Sequence, residues 1–153
     1  MMKVLISACL MGENVRFDGK NRKKCSEVIK KWKKEDCLVF FCPEVAGGLP
    51  VPRPPAEIQS DGRIITIDDE NVTAAFELGA QKALALCKQY HIRTAILKEG
   101  SPSCGSSLIN DGSFSHRKIP GRGVTTQLLE DHGVRVFSED DLEKAEVYLR
   151  TID

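Results

Sequence analysis

The chain has 153 residues, 41% hydrophobic and 29% charged, with 22 Lys plus Arg against 22 Asp plus Glu. That length supports one domain with a full core, so a single domain over 1–153 is expected. Balanced charge disfavours a bulk nucleic-acid binder, and no apolar run approaches the roughly 20 residues of a membrane span. The opening Met1-Met2-Lys3-Val4-Leu5-Ile6-Ser7 is too short for a secretory apolar region and has no cleavage site, so a cytoplasmic protein without a membrane partner is expected. Six cysteines in such a compartment are read as buried small side chains or as metal and catalytic thiols, not as disulfides.

In chain order, Lys3–Ala8 reads as a first strand, with Val4, Leu5 and Ile6 apolar in succession as in a sheet covered on both faces. Cys9 follows it directly, then a polar loop through Arg16, Phe17, Asp18 and Gly19. Ser26 is placed to cap a helix to about Lys34, with Val28, Ile29 and Trp32 inward. Lys20, Arg22, Lys23, Lys24, Lys30, Lys31, Lys33 and Lys34 crowd this segment. They are read as a solvated face, with an RNA or phosphate patch as the minority reading. Cys37–Phe41 is a second buried strand, ending at Cys42. The Pro-rich stretch 43–55 excludes regular structure and is expected to form a stiff pocket wall.

A small hairpin on Asp61-Gly62 follows over 58–67. A long helix, capped by Asn71 or Thr73, runs to about Tyr90. Arg93–Leu97 is the next strand and feeds the loop Lys98-Glu99-Gly100-Ser101-Pro102-Ser103-Cys104-Gly105. Asn110–Gly112 and Pro120–Gly123 mark an irregular segment. Thr125–His132 is a helix stopped by Gly133, Val134–Phe137 the last strand, and Ser138–Asp141 the acidic start of a last helix. Alternating strands and helices define an α/β fold: a three-layer Rossmann-like domain with a mostly parallel sheet and one small additional hairpin.

In open α/β sheets ligands bind beyond the carboxyl ends of the strands. Cys9, Cys42 and Cys104 each follow a strand, so three thiols distant in sequence can meet there. Cys25, Cys37 and Cys87 lie at a helix start, a strand start and a helix inner face, where structural cysteines sit. Three converging thiolates suit an iron–sulfur cluster with one iron open, zinc with an open position, or Cu(I). Thiol catalysis is a further option, although the six residues between Cys9 and Arg16 are one too many for a C-x5-R loop. Glu44 enters the same pocket and can shuttle protons. Arg16, Asp18, Arg53 and Lys98 are candidates to hold an anionic or planar substrate. Ser101 and Ser103 are candidate hydrogen-bond donors beside Cys104.

Several blocks together carry a resemblance. They are Ser-Ala-Cys-Leu-Met-Gly, Arg-Phe-Asp-Gly, Cys-Pro-Glu-Val-Ala-Gly-Gly-Leu-Pro-Val-Pro-Arg-Pro-Pro-Ala-Glu, Ile-Leu-Lys-Glu-Gly-Ser-Pro-Ser-Cys-Gly and Pro-Gly-Arg-Gly-Val-Thr. The chain resembles the bacterial 2-thiouracil desulfurase (desulfidase) family over nearly its whole length. The resemblance implies a [4Fe-4S] cluster on Cys9, Cys42 and Cys104, with an open iron that takes the sulfur of a thiolated pyrimidine. It further implies non-redox C–S hydrolysis to uracil and hydrogen sulfide, Glu44 as acid/base, and Ser101 or Ser103 as relay. The expected partner is then a small thiolated base. Thiolated RNA brought by the Lys20–Lys34 segment is a further reading, and no oligomeric state is assigned. Gly100 departs from the family pattern, which leads one to expect a larger, often charged residue there. The reading from a different class is a non-catalytic cluster- or zinc-binding sensor.

Overall fold

The computed structural model describes residues 2–153. From the N-terminus, β1 (Val4–Ser7) is followed by a 3-10 turn (Ala8–Met11), α1 (Glu27–Lys34), β2 (Leu38–Phe41) and α2 (Pro43–Ala46). Next come β3 (Ala56–Ile58), β4 (Ile64–Thr66), α3 (Thr73–Gln89) and β5 (Thr94–Leu97). The chain continues through β6 (Leu108–Asn110), β7 (Lys118–Pro120), α4 (Val124–Asp131), β8 (Arg135–Ser138) and α5 (Leu142–Ile152). Four strands form one parallel sheet in the order β2-β1-β5-β8. Two antiparallel hairpins, β3–β4 and β6–β7, stand beside it.

The apolar runs of β1 and β5 are buried because both sheet faces are covered there, whereas β2, expected to be buried, is an edge strand with Phe40 exposed and Leu38, Val39 and Phe41 half-buried. Side chains alternate between faces along a strand. Val4, Ile6, Ile96 and Phe137 pack against Ile29 and Trp32 of α1 and Leu142, Ala145 and Leu149 of α5. Leu5, Ala95, Leu97 and Val136 pack against Ala83, Leu84 and Cys87 of α3 and Leu129 of α4. The fold is therefore a three-layer α/β sandwich, as the alternation of elements predicts. From β1 the chain turns to one side to build β2, and later crosses to the other to build β5. That reversal puts the topological switch point, where such sheets bind ligands, between β1 and β5.

Most local expectations hold. Ser26 Oγ accepts from Val28 N–H at 3.2 Å, and Ile29 and Trp32 are buried as foreseen, while Val28 sits at the core's edge. Asn71 Oδ1 accepts from Thr73 N–H at 3.0 Å, one residue ahead of the formal cap position Val72. Of the basic segment, Lys30 pairs with Glu27 and Lys31 with Glu146, each at 3.3 Å, as on a solvated face. Among the described residues no helix is long and apolar enough to cross a membrane.

Three further expectations need correction. The Pro-rich stretch is not wholly irregular, because Pro43 occupies the first turn of α2, where its missing N–H costs nothing. This short helix lies backbone to backbone on α3. A Cβ at Gly47 would stand 2.0 Å from Ala75 O, and one at Gly79 1.9 Å from Pro43 O. Gly79 in mid-helix, a choice that costs up to about 1 kcal/mol relative to Ala, is explained by that approach. The segment after Cys104 contains the β6–β7 hairpin, so there are two hairpins and not one. Finally, Ser138–Asp141 does not cap α5 through a side chain; Glu139 instead reaches across to the loop after β5.

Candidate metal and substrate site

The carboxyl ends of β1, β2 and β5 open on a cavity of about 580 Å³. Cys9 lines it from the 3-10 turn after β1, Cys42 from the N-cap of α2, and Cys104 from the loop after β5. Cys9 and Cys104 are buried and Cys42 is half-buried. The Cys104 thiol lies 3.9 Å from Ser7 Oγ, and the Cys42 thiol 3.9 Å from Val15 O. Cys37 and Cys87 are buried in the two apolar layers and Cys25 is exposed, so none of these three belongs to the cavity.

Burial pushes all three cavity thiols up, and their neighbours add to it. Cys9 is raised to about 11, by burial and then by the adjacent Cys42. Cys104 is raised by burial, then by Glu44 and Cys42. Cys42 is raised by burial, with the N–H groups of Val45 and Glu44 at the start of α2 pulling the other way. Three thiols that oppose one another's ionisation need a cationic group to become thiolates together. Among the described residues, no three His, Cys, Asp or Glu side chains come close enough to share one metal ion. Three soft sulfur donors gathered from three strand ends on one cavity fit a thiophilic metal group.

A carboxylate stands beside the thiols, held by a cation. Arg53 is buried, and its Nε donates to Glu44 Oε1 at 3.2 Å. Its Nη1 donates to Pro50 O and its Nη2 to Val15 O, both at 3.0 Å, which ties three segments to one guanidinium. The Ser101 hydroxyl donates to Glu44 Oε2 at 3.3 Å and accepts from the N–H groups of Ser103 and Cys104. Ser103 differs. Its hydroxyl is fully buried, shares a 2.7 Å bond with Thr125 Oγ1, and lies off the cavity wall. Geometry thus separates two serines that sequence alone leaves equivalent.

The other candidates divide as well. Arg16 lines the cavity and pairs with Asp18 at 3.4 Å, so Asp18 stands behind it and off the wall. Lys98 lines the cavity with its ammonium 2.7 Å from Glu139 Oε2. Glu99 is a lining residue that sequence reasoning passes over. Its carboxylate accepts from the N–H groups of Gly100, Ser106, Ser107 and Leu108 and from the hydroxyls of Ser106 and Ser107. Those bonds overcome the burial that opposes them and bring its carboxyl down to about 2. The β6–β7 hairpin adds Asn110, Phe114, His116 and Lys118 to the wall. Its tip is held by buried Glu57 of β3, which accepts from Gly112 N–H at 2.9 Å and Phe114 N–H at 3.1 Å. Gly100 has φ +86°, and a Cβ there would meet Lys118 Nζ at 3.0 Å. The Lys118 ammonium thus stands beside the place where a side chain at 100 would begin.

A three-layer α/β fold with three thiols, a fixed carboxylate and a hydroxyl at the ends of its central strands is the class of architecture in which a cavity can hold a metal group beside an acid/base pair. A model of the 2-thiouracil desulfurase family matches residues 4–141, and the chain belongs to that family. The resemblance carried by its motifs is thereby borne out. Among curated proteins, uncharacterized protein YbbK of Bacillus subtilis (strain 168) is 43% identical over 148 residues, covering 91% of this chain and 97% of that protein. Among solved structures, the [4Fe-4S]-dependent thiouracil desulfidase TudS is 47% identical with a TM-score of 0.96, covering 99% of each chain.

Proposed function

We propose that this chain is an iron–sulfur-dependent desulfidase that converts a thiolated pyrimidine such as 2-thiouracil to uracil and hydrogen sulfide. Cys9, Cys42 and Cys104 would hold a [4Fe-4S] cluster. The observation that carries the reading is the set of three buried thiols from three strand ends beside the Glu44–Ser101 pair. The likeness to TudS over 99% of both chains supports it. When bound, a cluster with three protein ligands supplies one thiophilic iron with a free position for sulfur.

The chain's own residues supply the rest. The net change is water plus C=S giving C=O plus hydrogen sulfide; no electrons are exchanged, and both water protons end on sulfur. A group that takes a proton from water at the carbon and returns it at the sulfur is therefore required. Glu44 has the position for it. One oxygen is fixed by Arg53 and the other accepts from the Ser101 hydroxyl, which places carboxylate and hydroxyl side by side on the cavity wall. Ser101 relays the proton and Ser103 does not take part. Arg53 is a positioning residue, since its donors are occupied by Glu44 and two carbonyls. Lys98, neutralised in part by Glu139, places a positive charge near Cys9 that favours its thiolate.

Anaerobic purification followed by iron analysis and a sulfide-release assay on 2-thiouracil tests the proposal. Bound iron with catalytic sulfide release is expected. Iron without sulfide release from any thiopyrimidine would make the chain a cluster-binding sensor, and a protein without iron would overturn the cofactor assignment.

A further inference from the structure

Among the described residues, three buried side-chain polar atoms have no hydrogen-bond partner: Arg16 Nη1, Thr94 Oγ1 and Asn110 Oδ1. Thr94 lies within the sheet, away from the cavity, whereas Arg16 and Asn110 both line it. A polar atom shielded from water with no partner is destabilising, so two on one cavity wall call for a ligand.

The backbone shows why Asn110 points there. Gly100 bridges to Ile109 in β6, which lays this strand along the loop that carries Ser101. Ile109 is buried and turns toward Gly105 and Gly121, since a Cβ at either would stand within 3.0 Å of its side chain. Its neighbour Asn110 must then face the opposite way, toward the cavity. Arg16 arrives from the loop after β1. Its Nη2 is engaged by Asp18, which leaves Nη1 as the free donor. One shielded acceptor and one shielded donor are matched by a ligand with an N–H next to a C=O.

We propose that Asn110 and Arg16 read the lactam edge of the base, Asn110 Oδ1 accepting the ring N–H and Arg16 Nη1 donating to the carbonyl oxygen. This rests on the thiopyrimidine reading of the site. The N–H concerned lies between the two ring carbons that bear sulfur or oxygen. It is therefore the same group in 2-thiouracil and 4-thiouracil, and both isomers fit. An amide side chain can rotate to present either end, but a guanidinium only donates, so Arg16 fixes the polarity of the pair. Thiocytosine, with an amino group for the carbonyl and no ring hydrogen at that nitrogen, is rejected. A site built around paired polar groups discriminates strongly against analogues that leave them unpaired.

The test is calorimetric binding of uracil and 3-methyluracil to the cluster-loaded protein, which needs no turnover. Wild type is expected to bind uracil about tenfold or more tightly than 3-methyluracil, the worth of one buried hydrogen bond. In Asn110→Leu, with unchanged iron content and thermal midpoint, the two bases should bind alike and KM for 2-thiouracil should rise while kcat moves little. Because methylation alters the ligand and not the protein, that comparison in wild type stands even if the variant misfolds. Equal binding of both bases by a wild type that releases sulfide overturns this inference alone. A wild type that neither binds uracil nor releases sulfide overturns the substrate reading and this inference together.

Discussion

Two of the loops that wall the cavity, the Pro-rich one and the one after β5, are each held by one charged side chain, a cation in the first and an anion in the second. Arg53 joins the Pro-rich loop to the segment after β1, donating to Val15 O, Pro50 O and Glu44. Glu99 stitches only its own loop, accepting from four N–H groups and two hydroxyls between Gly100 and Leu108. The first device spans distant segments and touches the proposed proton carrier directly. The second is local and shapes the turn that presents Ser101 and Cys104. Ser101 and Glu44 then bond across the join. The two walls should therefore fail differently when their charges are removed.

The largest effect is expected where the walls meet. Glu44→Gln keeps size and burial but not basicity, so sulfide release should fall about 10²–10⁴-fold with iron content unchanged. An assay within tenfold of wild type would remove Glu44 from the chemistry. Next is Arg53→Met, which takes the cation from the half-buried Glu44 carboxylate and a donor from each of two carbonyls and should cost about 2–4 kcal/mol in chemical denaturation. Arg53→Lys should recover only part of it, because an ammonium lacks the planar fork that reaches all three acceptors.

Glu99→Gln should cost less, about 1–3 kcal/mol, since an amide oxygen still accepts some of the six bonds. Acid distinguishes the walls further. The folded-state carboxyl of Glu99 is lowered to about 2 from an ordinary 4.5. A depressed carboxyl contributes stability above its unfolded value and loses it as pH falls through the folded one. A pH titration of stability should therefore show a loss between about 4.5 and 2 that Glu99→Gln lacks. The smallest effect belongs to Cys87→Ala in the α3 layer, about 1 kcal/mol, with iron and sulfide release as in wild type.

How much of this was legible depends on the range of each interaction. The sheet strands were readable because Val4-Leu5-Ile6 and Thr94-Ala95-Ile96-Leu97 are continuous apolar runs, buried whatever the rest of the chain does. The three cavity cysteines were readable because strand ends gather in this topology. The second hairpin was missed although Asp111-Gly112 is a turn signal. Its strands carry Leu108, Ile119 and Pro120 exposed, so no alternation announced them. Glu139 looked like part of a helix start and is instead a partner for Lys98 and for Glu99 N–H, contacts 40 residues or so apart in sequence. Asn110 had no motif at all. Its place on the wall follows from the Gly100–Ile109 bridge, which only the folded chain reveals.

The central claim is that this cavity exchanges sulfur for a water oxygen without electron transfer. Its most direct test is anaerobic turnover of 2-thiouracil in heavy-oxygen-labelled water with no reductant present. The account predicts one sulfide per uracil, with one labelled oxygen at the carbon that held sulfur. Turnover only with an electron donor, or uracil without the label, would contradict it.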